Sequence, residues 1–260
     1  AHGVAQQQAA QARLRDDLGA LVTDRLRELP PATRAAVSTA ACVGLRCELR
    51  LLASLLEESP GEVVAVLREA EARGLMLAAS GGYQFLHERV QQAARAELSP
   101  ARAQALHLAI GRALMGSDAG DFEVVHHLNL GVALVTDASE RRELAARNLA
   151  AAQRALAATA VASAVSYARA GAAALGDEAW ADAPGLAAAL ARVEMEALYL
   201  VGDIAGGRAL YEPLQARAAD ELERAALCEL KVGLDIFHGR QSDAITCLLY
   251  TSPSPRDRTR

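Results

Sequence analysis

Apolar residues recur at helical spacing along most of the chain, and a stretch of period two interrupts them once. The first helical pattern begins at Leu18 and ends at Pro30-Pro31, and the second has Thr33 as a candidate cap. A third helix is predicted from Glu48 to Leu56. The fourth opens with Ser59-Pro60-Gly61-Glu62, in which serine, proline and glutamate have the spacing of a capping box.

The interruption predicts one small β-hairpin. Leu75-Met76-Leu77 is a short apolar run, Ser80-Gly81-Gly82 is a turn signal, and Tyr83-Gln84-Phe85 alternates between apolar and polar. Helices followed by a small hairpin predict a winged-helix-like domain over residues 18–98, preceded by an incoming helix or linker at 1–17.

Only helical patterns follow Ser99-Pro100. Two of the later helices are split at Gly202 and Gly239, each with a small residue, Gly207 or Ala244, in the helix that follows. Ala164 lies in a similar position upstream, and the spacing is roughly 40 residues, close to that of tetratricopeptide-like helix pairs. The fold class is therefore predicted as mostly α: a winged-helix-like unit followed by a tetratricopeptide-like α-solenoid at 99–246.

The helical pattern is lost after Ile245, where prolines occur at alternate positions. One DNA string that encodes Cys247 to Asp257 resembles the transposase-end adapter of sequencing libraries. Residues 247–260 are therefore interpreted as a non-native, adapter-derived tail, or else as a disordered Pro/Ser/Arg tail. Neither reading gives them a function.

Composition agrees with a helical protein and narrows its setting. Hydrophobic residues make up 52% of the chain, aromatic residues only 3%, and the net charge is −5. The four cysteines form no CxxC pair, which is typical of reduced thiols in a cytoplasmic protein. No run of about 18 apolar residues occurs, so no membrane partner is expected. The first residues lack an initiator Met and a signal-peptide pattern, as expected of a piece of a longer protein.

The motifs of common enzymes are missing from the sequence. Lys231, the single lysine, follows no glycine-rich run, so a GxxxxGK[ST] phosphate loop is excluded. There is also no GxGxxG after a strand, no kinase catalytic loop, no HExxH and no GxSxG. The chain is predicted not to be an enzyme by itself, with no catalytic residue and no cofactor of its own.

The other polar residues are expected to be structural. Adjacent His126 and His127 point about 100° apart on a helix and lack a third ligand, so we expect one packed histidine, one exposed histidine and no metal. His107 is expected to be unremarkable, and Asp203 and Asp235 to lie in a loop and on a helix surface. The helix from Glu62 to Arg73, which would enter a DNA groove, is acidic on balance, so no nucleic-acid partner is expected.

Four stretches of the sequence carry a resemblance to a known family. They are YQFLHERVQQAARAEL, ALHLAIGRALM, EVVHHLNLGVALVTDASERRELAARNLAAAQRA and SAVSYARAGAAAL. Together they resemble the region that follows the ATPase core in bacterial multidomain serine/threonine or hybrid histidine kinases carrying a STAND-type module (signal-transduction ATPases with numerous domains). The resemblance runs from about Leu18 to Ile245 and is most specific at Phe85–Ala94. It implies that ATP or ADP binds an upstream domain.

The resemblance also implies a role for two residues. STAND proteins have a Met-His-Asp type triplet whose histidine lies near the nucleotide phosphate in the resting state, and the matching residues here are Leu86, His87 and Glu88. His87 would then donate a hydrogen bond to a diphosphate. Glu88 departs from the family's Asp by one methylene. The alternative is that His87 caps the following helix and Glu88 complements its dipole.

The resulting hypothesis is a non-catalytic regulatory and protein-interaction segment. It would couple the nucleotide state of its own upstream ATPase core to a helical sensor that binds protein partners. The alternatives are a fragment of a STAND-type transcription regulator and a free-standing tetratricopeptide-like scaffold.

Overall fold

The computed structural model describes residues 22–116 and 120–251, and the chain divides into two compact units between Leu134 and Val135. It is mostly helical and has one small antiparallel sheet. The predicted incoming segment at 1–17 and tail residues 252–260 lie outside the described part of the chain.

The first unit begins with a helical stretch at 22–27. Its elements are then α1 (Pro31–Val43), β1 (Arg46–Glu48), α2 (Leu49–Leu56), α3 (Pro60–Ala72), β2 (Met76–Ala79), β3 (Gly82–Phe85), α4 (Glu88–Ala96), α5 (Pro100–Leu114) and α6 (Asp121–Gly131), with a 3-10 turn at Val132–Leu134.

The predicted hairpin is present, and it has a third strand that was not predicted. β2 and β3 pair antiparallel around Ser80-Gly81, with Gly81 at φ 79°, and β1 pairs with the other edge of β3, giving the order β1-β3-β2. Cys47 is the buried residue of β1, between exposed Arg46 and Glu48. A three-residue strand is too short for a period of two to be recognised in the sequence.

Local signals decide where the helices begin. Ser59 and Glu62 form the predicted capping box at the start of α3: each side chain bonds the other's backbone N–H. Thr33 does not cap α1, which begins after Pro30 without a side-chain cap. Instead, the Thr33 hydroxyl donates to the Val66 carbonyl at 3.0 Å and ties α1 to α3.

Helices α5 and α6 belong to the first unit, although the sequence predicts that the winged-helix-like domain ends at residue 98. The reason is that α5 packs on α1 and α2, and α6 packs along α5. The buried residues Ile110 and Leu114 of α5 are apolar in the same way as a solenoid helix, so periodicity alone cannot tell which unit they join.

The second unit comprises α7 (Ala138–Ala157), α8 (Val161–Leu175), a short α9 (Ala179–Asp182), α10 (Pro184–Val201), α11 (Ile204–Arg217), α12 (Glu221–Phe237) and α13 (Gln241–Thr251). Small residues bring the helices close together. A Cβ at Gly207 would lie 2.5 Å from the ring of Tyr199, and one at Gly171 would lie 2.6 Å from the Leu190 side chain.

Three turns in this unit have the same geometry. Thr159, Gly202 and Gly239 each have positive φ, at 59°, 91° and 69°. The next residue in each turn donates its N–H to a carbonyl in the last turn of the preceding helix, at 2.8–2.9 Å. The sequence predicted two similar helix breaks, at Gly202 and Gly239. The turn at Thr159 is a third of the same kind, and it was not predicted.

The last helix extends further than the sequence predicts. α13 runs through Cys247 to Thr251, although residues from 247 onward were predicted to be a tail. The first proline after Ile245 is Pro253, and Cys247 is buried with its Sγ 3.1 Å from that of Cys228, so nothing in these residues prevents a helix. The helical conformation does not bear on whether the DNA that encodes these residues comes from an adapter. No function is assigned to the pair of Cys228 and Cys247.

Candidate functional site

His87 lies at the junction where β3 ends and α4 begins. It is the N-cap residue, with extended backbone angles, and its Nδ1 accepts a hydrogen bond from the Arg89 N–H at 3.2 Å. The strand before it is fixed by two backbone bonds, from Phe85 N–H to the Leu45 carbonyl and from Leu86 N–H to the Leu75 carbonyl. The exposed ring is therefore carried by a well-anchored backbone.

The cap determines which ring nitrogen carries the proton in neutral His87. Because Nδ1 accepts from Arg89, it is unprotonated and the hydrogen lies on Nε2. Nε2 makes no hydrogen bond to another described residue, and the side chain is exposed. Nε2–H is thus a hydrogen-bond donor directed away from the capping contact, at a helix N-terminus that favours anions.

Glu88 occupies the first turn of α4, is exposed, and accepts a hydrogen bond from Gln92 Nε2 at 3.0 Å. A carboxylate there complements the helix dipole, so the alternative role predicted for Glu88 has a geometric basis. Both residues therefore stabilise α4. Capping by His87 uses Nδ1 and leaves Nε2 available for another contact.

The surface next to His87 is apolar. Leu86 is 55% exposed and Leu45 47% exposed, and both adjoin Phe85: Leu86 follows it in sequence and the Leu45 carbonyl accepts its N–H. Exposed leucines beside a fixed donor form a surface that could pack on another domain.

Arg73, the C-cap residue of α3, is held in two ion pairs. Arg73 pairs with Glu69 and with Glu28, each at 2.8 Å. A phosphate backbone would have to compete with two carboxylates for this guanidinium.

The first unit contains a buried histidine pair that the sequence did not predict. His107 of α5 and His127 of α6 are 7% and 3% exposed, and their Nδ1 atoms are 2.9 Å apart. His126 is exposed, so the expectation of one packed and one exposed histidine is confirmed. The pair links residues 20 positions apart, so the adjacent residues His126-His127 carry no local signal for it.

The two histidines begin a repeated pattern, His107-Leu-Ala-Ile-Gly111 and His127-Leu-Asn-Leu-Gly131. A Cβ at Gly111 would meet Leu128, and one at Gly131 would meet Leu108, each within 3 Å. The contacts are reciprocal, so α5 and α6 cross with local two-fold symmetry. The repeat of His, Leu and Gly was the sequence signal that could have identified this crossing.

The pKa of His127 is lowered to about 4, mainly by burial and to a lesser extent by the neighbouring His107 and His126, while a hydrogen bond to the Val43 backbone opposes the shift. With Nδ1 turned to His107, Nε2 is the nitrogen left to donate to Val43. His107 then donates through its Nδ1–H. Burial also lowers the pKa of His107, with His126 and Arg95 adding to the effect.

Acid should therefore destabilise the first unit. The ring of His127 titrates near 6.5 when unfolded and near 4 when folded, so its contribution is complete above pH 6.5 and falls as pH drops toward 4. Between pH 7 and pH 5 we expect the free-energy difference between wild type and His127→Gln, measured by urea unfolding, to shrink by about 2 kcal/mol. His126→Gln is the control: it removes an exposed ring that lowers the pKa of His127 less than burial does, so most of the pH dependence should remain. A difference independent of pH would contradict the assignment.

The prediction for Asp203 is confirmed, and the prediction for Asp235 is wrong. Asp203 lies at the turn before α11 and caps it, accepting from the Gly206 N–H at 2.9 Å. Asp235 is not on a surface: it is 0% exposed, accepts from Lys231 Nζ at 2.6 Å and from the Tyr199 hydroxyl at 3.4 Å. The prediction was wrong because the tyrosine comes from a distant helix.

Within the described residues, no group of three or more His, Cys, Asp or Glu side chains could hold a metal ion. None of the helices described is long and apolar enough to cross a membrane.

Comparison of the chain with models of protein families, with curated proteins and with solved structures gives no match in any of the three.

Proposed function

We propose that this chain is a non-catalytic regulatory and protein-interaction segment of a multidomain signal-transduction ATPase linked to a kinase. In this proposal it couples the nucleotide state of an upstream ATPase core to a helical sensor. The observation that carries it is the Nε2–H of His87, a fixed donor exposed at the start of α4 beside Leu86.

The first unit supports the proposal through its order of elements. Helix, strand, two helices and a hairpin, with the sheet order β1-β3-β2, is the arrangement of a winged helix. The two ion pairs of Arg73, at the end of α3, favour a protein-contacting role for this unit over DNA binding.

The second unit supports a tetratricopeptide-like solenoid. Three of its helix pairs, α7 with α8, α10 with α11 and α12 with α13, are joined by turns of one geometry, at Thr159, Gly202 and Gly239. Repeated pairs of this kind present an extended surface for partner proteins or for the core of the same protein.

In the resting state, a diphosphate oxygen bound to the upstream core would accept the hydrogen bond from His87 Nε2. The positive end of the α4 dipole would add to the attraction. Leu45 and Leu86 would pack on the core and hold the closed form. Because the contact is made only with that nucleotide state, its loss shifts the population toward the open, signalling form.

Substitution of His87 in the intact parent protein tests this role. His87→Ala removes both the cap and the donor, whereas His87→Ser keeps a capping oxygen and removes the Nε2 donor. Both should raise basal signalling, while only the alanine variant should lose stability, by about 1 kcal/mol.

Ser99→Ala is the matched control, since Ser99 caps α5 of the same unit through the Arg102 N–H. It should cost similar stability and leave signalling unchanged. Normal basal signalling in His87→Ser would reduce His87 to a helix cap.

A further inference from the structure

The second unit contains a pocket that the proposed function does not use. It has a volume of about 310 Å³ and lies among the ends of α8, α9, α10 and α11, with Leu175, Ala187, Ala191, Leu210 and Leu214 supplying much of its apolar wall. Trp180, the single tryptophan of the chain, is part of the wall. This volume is at the small end of the range for small-molecule sites.

The charged side chains that line the pocket are negative. Among the described residues that line the pocket, Asp177 and Glu194 are the acidic side chains, and none is Lys, Arg or His. The side chain of Glu194 is only 15% exposed, whereas its ion-pair partner Arg169, at 2.7 Å, is 59% exposed. A mostly exposed guanidinium holds its partner weakly, so a ligand cation could take its place.

The Trp180 ring gives the pocket an aromatic wall, and one cation already lies over this ring. The guanidinium of Arg217 lies 5.0 Å from the centre of the Trp180 ring and stacks over it from outside the lining. Pro213, which also lines the pocket, has no N–H, so it removes the intrahelical bond to the Ala209 carbonyl. The site therefore combines an apolar body, a carboxylate and an aromatic face.

We propose that this pocket binds a small organic ammonium cation with an apolar or aromatic body, which pairs with Glu194 and contacts Trp180. The ligand cation replaces Arg169 at the Glu194 carboxylate. It loses part of its hydration shell when it enters the pocket. The site is independent of the coupling role of His87, because it rests on residues of the second unit alone.

Trp180 makes the test direct, because a ligand in the pocket contacts the only tryptophan. Titration of the purified 260-residue chain with benzylamine should give a saturable change in fluorescence, and benzyl alcohol and benzoate should give little or none. Glu194→Gln should weaken benzylamine binding by roughly tenfold or more. Ala191→Leu, which fills the cavity, should remove binding without changing charge.

Glu143→Gln is the matched control, because Glu143 is an exposed carboxylate paired with Arg147 on α7. It should bind benzylamine as wild type does. The proposal is overturned by any of three results: no saturable change at millimolar benzylamine, equal binding of benzyl alcohol, or unchanged affinity in Glu194→Gln.

Discussion

Replacement of Asp235 by alanine should lower the free energy of unfolding of the second unit by about 3–5 kcal/mol. The carboxylate is completely buried and is the acceptor for Lys231 Nζ at 2.6 Å. Alanine would leave the Lys231 ammonium, 8% exposed and 5.3 Å from the Tyr211 ring, without its counter-charge. An unpaired buried charge costs more than the pair contributes.

The measurement is urea unfolding followed by Trp180 fluorescence, which reports on this unit. A double variant, Lys231→Met with Asp235→Leu, removes both charges and keeps similar volumes, so it should be close to wild type in stability. If the double variant lost as much stability as Asp235→Ala, the cost would come from packing and the electrostatic explanation would fail.

Replacement of Gly131 by alanine should destabilise the first unit by about 3 kcal/mol, the upper end of the usual cost of overpacking. A Cβ at this position would lie 2.8 Å from the backbone nitrogen of Leu108 and 2.9 Å from its Cα. Backbone atoms cannot rotate away as a side chain can, so α5 and α6 would have to separate.

Gly233→Ala is the control with the opposite sign. Gly233 lies inside α12, and nothing is within 4 Å of the position of an added Cβ. Alanine there should stabilise the protein by up to about 1 kcal/mol, because it restricts the unfolded chain and favours the helix. Thermal and urea unfolding by circular dichroism measure both effects. A neutral Gly131→Ala would show that the helix crossing is loose.

The sequence predicts best where the signal is local. The capping box at Ser59 and Glu62 and the hairpin around Gly81 each depend on a few adjacent residues, and both are present. The splits at Gly202 and Gly239 were recognised for the same reason: a positive φ favours glycine.

What the sequence could not supply depends on distant partners. The strand at Arg46–Glu48 exists because β3 is available to pair with it. Asp235 is buried because Tyr199 and Lys231 satisfy it, and His107 is buried because His127 faces it. A polar residue with helical spacing looks the same whether it faces water or a partner from another helix.

The candidate site shows the same division. The junction of a strand and a helix at His87 followed from the pattern, and its capping contact with Arg89 is present. Which nitrogen that contact leaves free, and the exposure of Leu45 beside it, required the fold. The diphosphate itself belongs to the proposal, because it would be held by another domain.

The rate at which bound ADP leaves the intact parent protein tests the central proposal most directly. If Nε2 of His87 holds the diphosphate in the closed form, His87→Ser should release ADP roughly tenfold or more faster than wild type, the loss expected for one hydrogen bond to a charged group. Ser99→Ala should release it at the wild-type rate. Release from His87→Ser at the wild-type rate would contradict the account.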